Sequence, residues 1–251
     1  MLKKRIIPFL TANNISLVKT KRFNNPRMIG NPVQSARIFS ARNADELVFV
    51  DIFAGRKNQE INTKLIAHIL RECDIPLTVG GGIKSIETAH ELFKIGTDKI
   101  LLRSSALNEG PLPYEIASIY GKQSVVIALD VAVDVNGDYV ALRDSSNYIT
   151  LEKATKIINK IQPGEVVVTA TDKEGDMNGM DLNLLNSIKN MIDAPIIFNG
   201  GISTPGHVLD AFVEFDGLSA IGASSIFQYT QYNISDIKEK LNQSNIKVRM
   251  L

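Results

Sequence analysis

Val79-Gly80-Gly81-Gly82-Ile83 and Phe198-Asn199-Gly200-Gly201-Ile202 are two copies of one phrase, 119 residues apart when Gly82 is set on Gly201. Leu102-Arg103-Ser104-Ser105-Ala106 returns as Gly222-Ala223-Ser224-Ser225-Ile226, with Ser105 and Ser225 120 apart. Arg5–Leu10 falls on Ser124–Leu129 at the first of these offsets. Solenoid units run ~20–50 residues, so a period this long is not a solenoid repeat. It predicts two fused half-barrels of four strands each.

Working outward, short β-branched runs recur at Arg5–Leu10, Leu47–Ile52, Leu77–Gly80, Lys99–Leu102, Val125–Asp130, Glu165–Thr169, Pro195–Phe198 and Ala220–Gly222. They are mostly continuous rather than alternating, as parallel strands buried on both faces require. Helical patterns lie between them, among them Pro32–Arg42, Asn62–Arg71, Ile86–Phe93, Leu151–Ile161, Asp181–Met191 and His207–Val213. Ser85 and Asp181 stand where caps would start two of these helices. Eight strands alternating with helices predict one (βα)8 TIM barrel over residues 1–251, near the usual length for that fold. An open, doubly wound sheet is the competing reading. Thr11–Asn31 breaks the rhythm: it is long for a βα loop and rich in Asn, Lys and Arg, which predicts a lid or binding loop.

Lys plus Arg is 28 and Asp plus Glu is 27, a net charge of +1 that argues against a nucleic-acid or membrane-surface protein. Cys73 is the only cysteine, so neither an internal disulfide nor a cysteine zinc site can form. Met1–Leu10 has a charged start but too short an apolar run for a signal peptide. No stretch approaches the ~20 apolar residues of a membrane span. The expectation is a cytoplasmic chain without cofactor or metal.

In this fold the active site forms at the C-terminal ends of the strands. Gly81 and Gly82, with Ser104, would make one phosphate cradle there, and Gly200 and Gly201, with Ser224 and Ser225, the other. Glycines let backbone N–H groups approach a phosphate closely, although glycines can also simply turn a chain. Two matched sets predict a phosphorylated small molecule with a phosphate at each end. Gly175 and Asp176, after strand six, are further candidates for phosphate contact, and Lys19, in the loop after strand one, for phosphate contact or for guarding the mouth. Asp130 ends strand five and is a candidate general acid or base. Asp51 ends strand two, and Asp172 and Glu174 follow strand six. By the repeat, the partner position of Asp130 is Thr11, which carries no carboxylate.

The chain resembles the cyclase subunit of imidazole glycerol phosphate synthase along nearly its whole length. The matching segments are Lys4–Ile7, Asp45–Ile52, Thr78–Ile83, Asp98–Lys99, Gln123–Asp130, Gly164–Val166, Gly200–Gly201 and Ser225. The resemblance implies a subunit that takes ammonia from a glutaminase partner and uses it to cleave and cyclise a bis-phosphorylated ribonucleotide. It implies an ammonia gate of Arg5, Glu46, Lys99 and Glu165 at the N-terminal face, and a partner surface that includes Asp98 and Gln123. The related single-chain isomerase of histidine biosynthesis shares the half-barrel repeat but needs no ammonia.

The departures matter equally. The family has a catalytic aspartate at the end of strand one in a Cys-Leu-Asp-Val context, where this chain has Phe9-Leu10-Thr11-Ala12. The family's asparagine after strand four is Arg103 here, and Asn199 and Asp176 replace Thr or Ser of the second cradle. Two readings stay open. One is a synthase-type subunit with cyclisation impaired and Asp51 or Asp176 as stand-ins. The other is an ammonia-conducting paralogue that feeds a separate sugar amidotransferase, as in divergent relatives linked to surface-polysaccharide synthesis.

Overall fold

The computed structural model describes residues 3–54, 59–144 and 147–250; Met1 and Leu2 of the leader reading lie outside them. The first half runs β1 (Arg5–Ala12), β2 (Leu17–Lys21), β3 (Asn24–Gly30), α1 (Pro32–Ala41), β4 (Leu47–Asp51), α2 (Thr63–Arg71), β5 (Leu77–Gly80), α3 (Ile86–Lys94), β6 (Lys99–Leu102), α4 (Ser104–Leu107) and α5 (Leu112–Tyr120). The second half repeats this order: β7 (Val125–Val133), β8 (Tyr139–Leu142), β9 (Tyr148–Thr150), α6 (Leu151–Ile161), β10 (Glu165–Ala170), α7 (Leu182–Ile188), β11 (Ile196–Asn199), α8 (Pro205–Glu214), β12 (Ala220–Ala223), α9 (Ser225–Tyr229) and α10 (Ile234–Gln243).

Eight strands pair in parallel in the order β1-β4-β5-β6-β7-β10-β11-β12, and β12 returns to β1 through Arg5↔Ala220 to Pro8↔Ala223. The sheet therefore closes into a (βα)8 barrel, and the open-sheet reading falls. Ile6 and Leu10 point out into the layer between strands and helices, whereas Ile7 and Phe9 point into the lumen. Burial on both faces explains the continuous apolar runs. Ser85 and Asp181 cap α3 and α7 by accepting from Thr88 N and Leu184 N.

Thr11–Asn31 is not a loop. β1 and β7 overshoot the barrel mouth and each carries an antiparallel ribbon, β2–β3 on β1 and β8–β9 on β7. The half-barrel repeat thus extends to the ribbons. At the opposite end Lys238 of α10 is buried against the strand starts, donating to Asp45 Oδ1 and Asn43 O at 2.8 Å each. Asp45 Oδ2 in turn accepts from Ile6 N at 2.8 Å. No described helix is long and apolar enough to cross a membrane.

Candidate functional site

A cavity of about 380 Å³ opens at the C-terminal ends of the strands. It is lined by Gly81, Gly82 and Ser104 on one side and by Gly200, Gly201, Ser224 and Ser225 on the other, with Gly175, Thr11, Lys19, Asp51 and Asp130 between them. Gly81 has φ +102°, and a Cβ there would lie 2.1 Å from Asp51 O. Gly201, which the repeat sets on Gly82, has φ +83° and would put a Cβ 2.1 Å from Gly179 O. Both positions need glycine, for conformation and for space. Ser104 and Ser225 open the short helices α4 and α9, so hydroxyls and free backbone N–H groups meet at both sides of the mouth.

The candidate acid/base groups are all engaged. Asp130, on β7, is buried, and its Oδ2 accepts from Arg103 Nη1 at 2.7 Å. Thr11 spends its hydroxyl on Val18 O at 2.6 Å, fastening β2 to β1. Asp51 Oδ1 accepts from Phe53 N at 2.9 Å and Ala54 N at 3.0 Å, which closes the turn after β4. Burial pushes the Asp51 carboxyl above its ordinary range, against the pull of the Phe53, Ala54 and Asn14 N–H groups. Asp172 Oδ2 holds Val133 N at 2.8 Å.

Lys19 is buried in an ion pair with Glu174 at 2.5 Å, and Glu174 Oε2 also accepts from Thr20 Oγ1 at 3.0 Å and Phe23 N at 3.1 Å. This one carboxylate docks the β2–β3 ribbon onto the segment after β10, across the mouth. Asp176 is not brought to the cavity: it pairs with Lys21 at 3.0 Å and Arg22 at 2.6 Å on the outer side of that docking. Its expected places, at the cradle or as a stand-in acid, are taken up by the ribbon contact.

At the other end of the barrel Arg5, Glu46, Lys99 and Glu165 form a closed ring. Arg5 pairs with both glutamates, and Lys99 pairs with Glu46 at 2.9 Å and Glu165 at 2.7 Å. Burial disfavours the Arg5 charge, but the glutamates outweigh it and raise its pKa. Burial likewise pushes Glu165 up, and Arg5 and Lys99 outweigh it and hold Glu165 below the usual carboxylate range. Sequence reading missed Ser219, which accepts from Arg5 Nη2 at 3.1 Å and donates to Ile196 O at 2.8 Å. It also missed the roles of Glu174 and of the Arg103–Asp130 pair, which only tertiary contact defines. Asp98 and Gln123 are exposed near the same face. Asp98 Oδ2 accepts from Leu77 N at 2.8 Å and Gln123 Nε2 donates to Tyr120 O at 2.9 Å, so each is held in place at the rim. Among the described residues no three His, Cys, Asp or Glu side chains gather as metal donors.

The histidine biosynthesis protein family model matches residues 5–233. The imidazole glycerol phosphate synthase subunit HisF of Streptococcus mutans is 36% identical over 252 residues, covering 99% of this chain and all of that one. The corresponding HisF of Thermococcus onnurineus is 36% identical over 255 residues, covering 100% of this chain and 99% of that one. A putative subunit hisF2 of Campylobacter jejuni is 37% identical over 254 residues, the full length of both. With the barrel closed, two glycine–serine pairs at its mouth and the charged ring at its base, this chain belongs to the HisF-like group of the histidine biosynthesis protein family.

Proposed function

We propose that this chain is the synthase-type barrel of a glutamine amidotransferase complex. A glutaminase subunit docks at the N-terminal face beside Asp98 and Gln123 and delivers ammonia at the ring of Arg5, Glu46, Lys99 and Glu165. Ammonia crosses the apolar lumen to a bis-phosphorylated ribonucleotide held at the mouth by the Gly81/Gly82/Ser104 and Gly200/Gly201/Ser224/Ser225 cradles. The single observation that carries this reading is the placement of both sites on one barrel axis: four paired charges at the strand starts and a two-sided donor-lined cavity at the strand ends. Cyclisation runs slowly in this chain. An acid/base group is worth about 10²–10⁴-fold; Thr11 supplies none, and Asp130 must first shed Arg103. The test is turnover of the ribonucleotide by the purified chain with ammonium. Slow but measurable product, with tight ligand binding, supports the synthase reading; tight binding with no product sinks it.

A second reading is favoured by the Arg103–Asp130 pair itself. A barrel whose remaining acid is held by an arginine suits passing ammonia onward to a separate amidotransferase acting on a nucleotide sugar. Glutamine-driven amidation by that enzyme, dependent on this chain and abolished when ring residue Lys99 is changed to Ala, is the outcome that distinguishes it.

A further inference from the structure

Phe9 stands on β1 between the two ends of the barrel. Its ring lies over Gly222 of the neighbouring β12: a Cβ on Gly222 would meet Phe9 Cε2 at 2.5 Å and Cζ at 3.1 Å. Only glycine leaves room for the ring there. Leu101, on β6, leans over Gly80 in the same way, with a Cβ on Gly80 falling 2.9 Å from Leu101 Cβ. Phe9 belongs to the packed apolar cluster of the lumen and also lines the mouth cavity. Its ring therefore has the apolar lumen on one side and the mouth on the other.

The cavity ends at this level. Its floor is Phe9, Val50, Leu101, Ala128, Val167 and Gly222. The deeper members of the cluster, Ile7, Val48, Val126, Ile197 and Ala220, do not line it, and each is at most 2% exposed. Arg5 lies four residues earlier on β1, roughly 13 Å along the strand. An apolar plug thus separates the charged ring from the mouth. Such a layer rejects ions, because a charge taken out of water without a partner is strongly disfavoured. A small neutral molecule crosses only when a gap of its own size opens. Phe9 and Leu101 both rest on a glycine backbone and both line the cavity; Phe9 is the larger of the two, and its ring has a side-chain-free seat below and open space above to turn into.

We propose that Phe9, seated on Gly222, is the aperture between lumen and mouth: its ring swings off Gly222 to pass a small neutral molecule of ammonia's size and closes behind it. The assignment rests on the conduit reading above. The sequence places phenylalanine here against the family's cysteine, so this closure is a property of this chain and acts in series with the charged ring.

The experiment puts a reporter thiol beneath the ring. Val126→Cys in the full-length chain, with and without Phe9→Ala, is exposed to methyl methanethiosulfonate, and modification at position 126 is followed by peptide mass spectrometry apart from the native Cys73. The expected result is labelling about tenfold faster or more once Phe9 is cut back, with Phe9→Leu between the two. Equal rates in all three backgrounds overturn the proposal. If Phe9→Ala does not fold, the Phe9→Leu comparison decides alone. Failure of the conduit reading appears instead in the glutamine-driven assay and leaves the labelling ratio unchanged, so the two are told apart.

Discussion

Arg103 Nη1 donates to Asp130 Oδ2 at 2.7 Å across the ends of adjacent strands β6 and β7. The carboxylate that the half-barrel repeat leaves without a partner at position 11 has acquired a cation instead. Thr11→Asp alone therefore restores little: the new carboxylate faces an Asp130 still held by arginine, and it also loses the hydroxyl bond to Val18 O. The expectation is a change in ammonium-driven turnover of less than about threefold, a small fraction of what an acid/base group contributes. A gain approaching the full contribution would show that Arg103 does not restrain Asp130.

Lys19 and Glu174 form the buried clasp that holds the ribbon across the mouth. Lys19→Met strands the Glu174 carboxylate and is expected to cost about 3–5 kcal/mol, felt first as release of the ribbon. Glu174→Gln keeps acceptors for Thr20 and Phe23 and costs less. Limited trypsin digestion checks this: cleavage at Arg22 and Arg27 accelerates in Lys19→Met well below the temperature at which the barrel unfolds.

The ring at the base gives a pH dependence with a definite sign. Glu165 is held below its ordinary value of 4.5 by Arg5 and Lys99. Its contribution is present above that ordinary value and is lost as pH falls through the depressed one. Glu165→Gln should therefore cost about 1.5–3 kcal/mol near neutral pH, and the gap to the unaltered protein should close in acid. Paired urea titrations at about pH 7 and about pH 3 measure it. A gap that persists undiminished in acid would mean that the ion pairs carry none of it.

Asp51 reads as a turn-former. Its Oδ1 serves Phe53 N and Ala54 N, and burial raises its pKa, so the charge brings the fold no advantage. Asp51→Asn keeps that acceptor and should leave stability within about 0.5 kcal/mol, whereas Asp51→Ala should lose about 1–2 kcal/mol. Turnover that survives in Asp51→Asn while Asp51→Ala only melts earlier confirms the structural role; loss of turnover in a stable Asp51→Asn would assign it to the chemistry.

Gly81 touches the first cradle and the turn of Asp51 together. Gly81→Ala forces a positive φ on alanine and drives a Cβ onto Asp51 O, so destabilisation of about 1–3 kcal/mol is expected. Affinity for a two-phosphate ligand should fall at least tenfold, and Gly201→Ala should do the same from the other side. Calorimetric titration with the ribonucleotide reads both; an unchanged affinity in either variant removes that cradle from the site.

The barrel was legible because the repeat is written in residues that geometry demands: Gly81 and Gly201 have no alternative, and buried parallel strands need continuous apolar runs. The first ribbon was not legible. β3 is exposed along almost its whole length, so it carries no burial pattern. Its two-residue turn, Arg22–Phe23, has φ of +53° and +60° at residues that rules for tight hairpins do not favour. Glu174, far away in sequence, makes that turn possible: its carbonyl accepts from Arg22 N at 2.9 Å and its carboxylate from Phe23 N. The repeat and the strand ends located the glycines and serines that line the cavity, but Asp176 lies outside it and the side-chain pairings were not legible. Arg103 with Asp130, Lys19 with Glu174 and Phe9 over Gly222 are choices of side-chain direction between strands, and no local pattern encodes those.

Ammonium-driven turnover of the bis-phosphorylated ribonucleotide by the unaltered chain and by Thr11→Asp/Arg103→Asn, with ligand affinity measured beside it, tests the central claim most directly. With the acid partner supplied and Asp130 released, the rate should rise about 10²-fold or more at similar affinity. An unaltered chain that already matches the double variant, or a double variant that binds the ligand as tightly and turns it over no faster, would contradict the account.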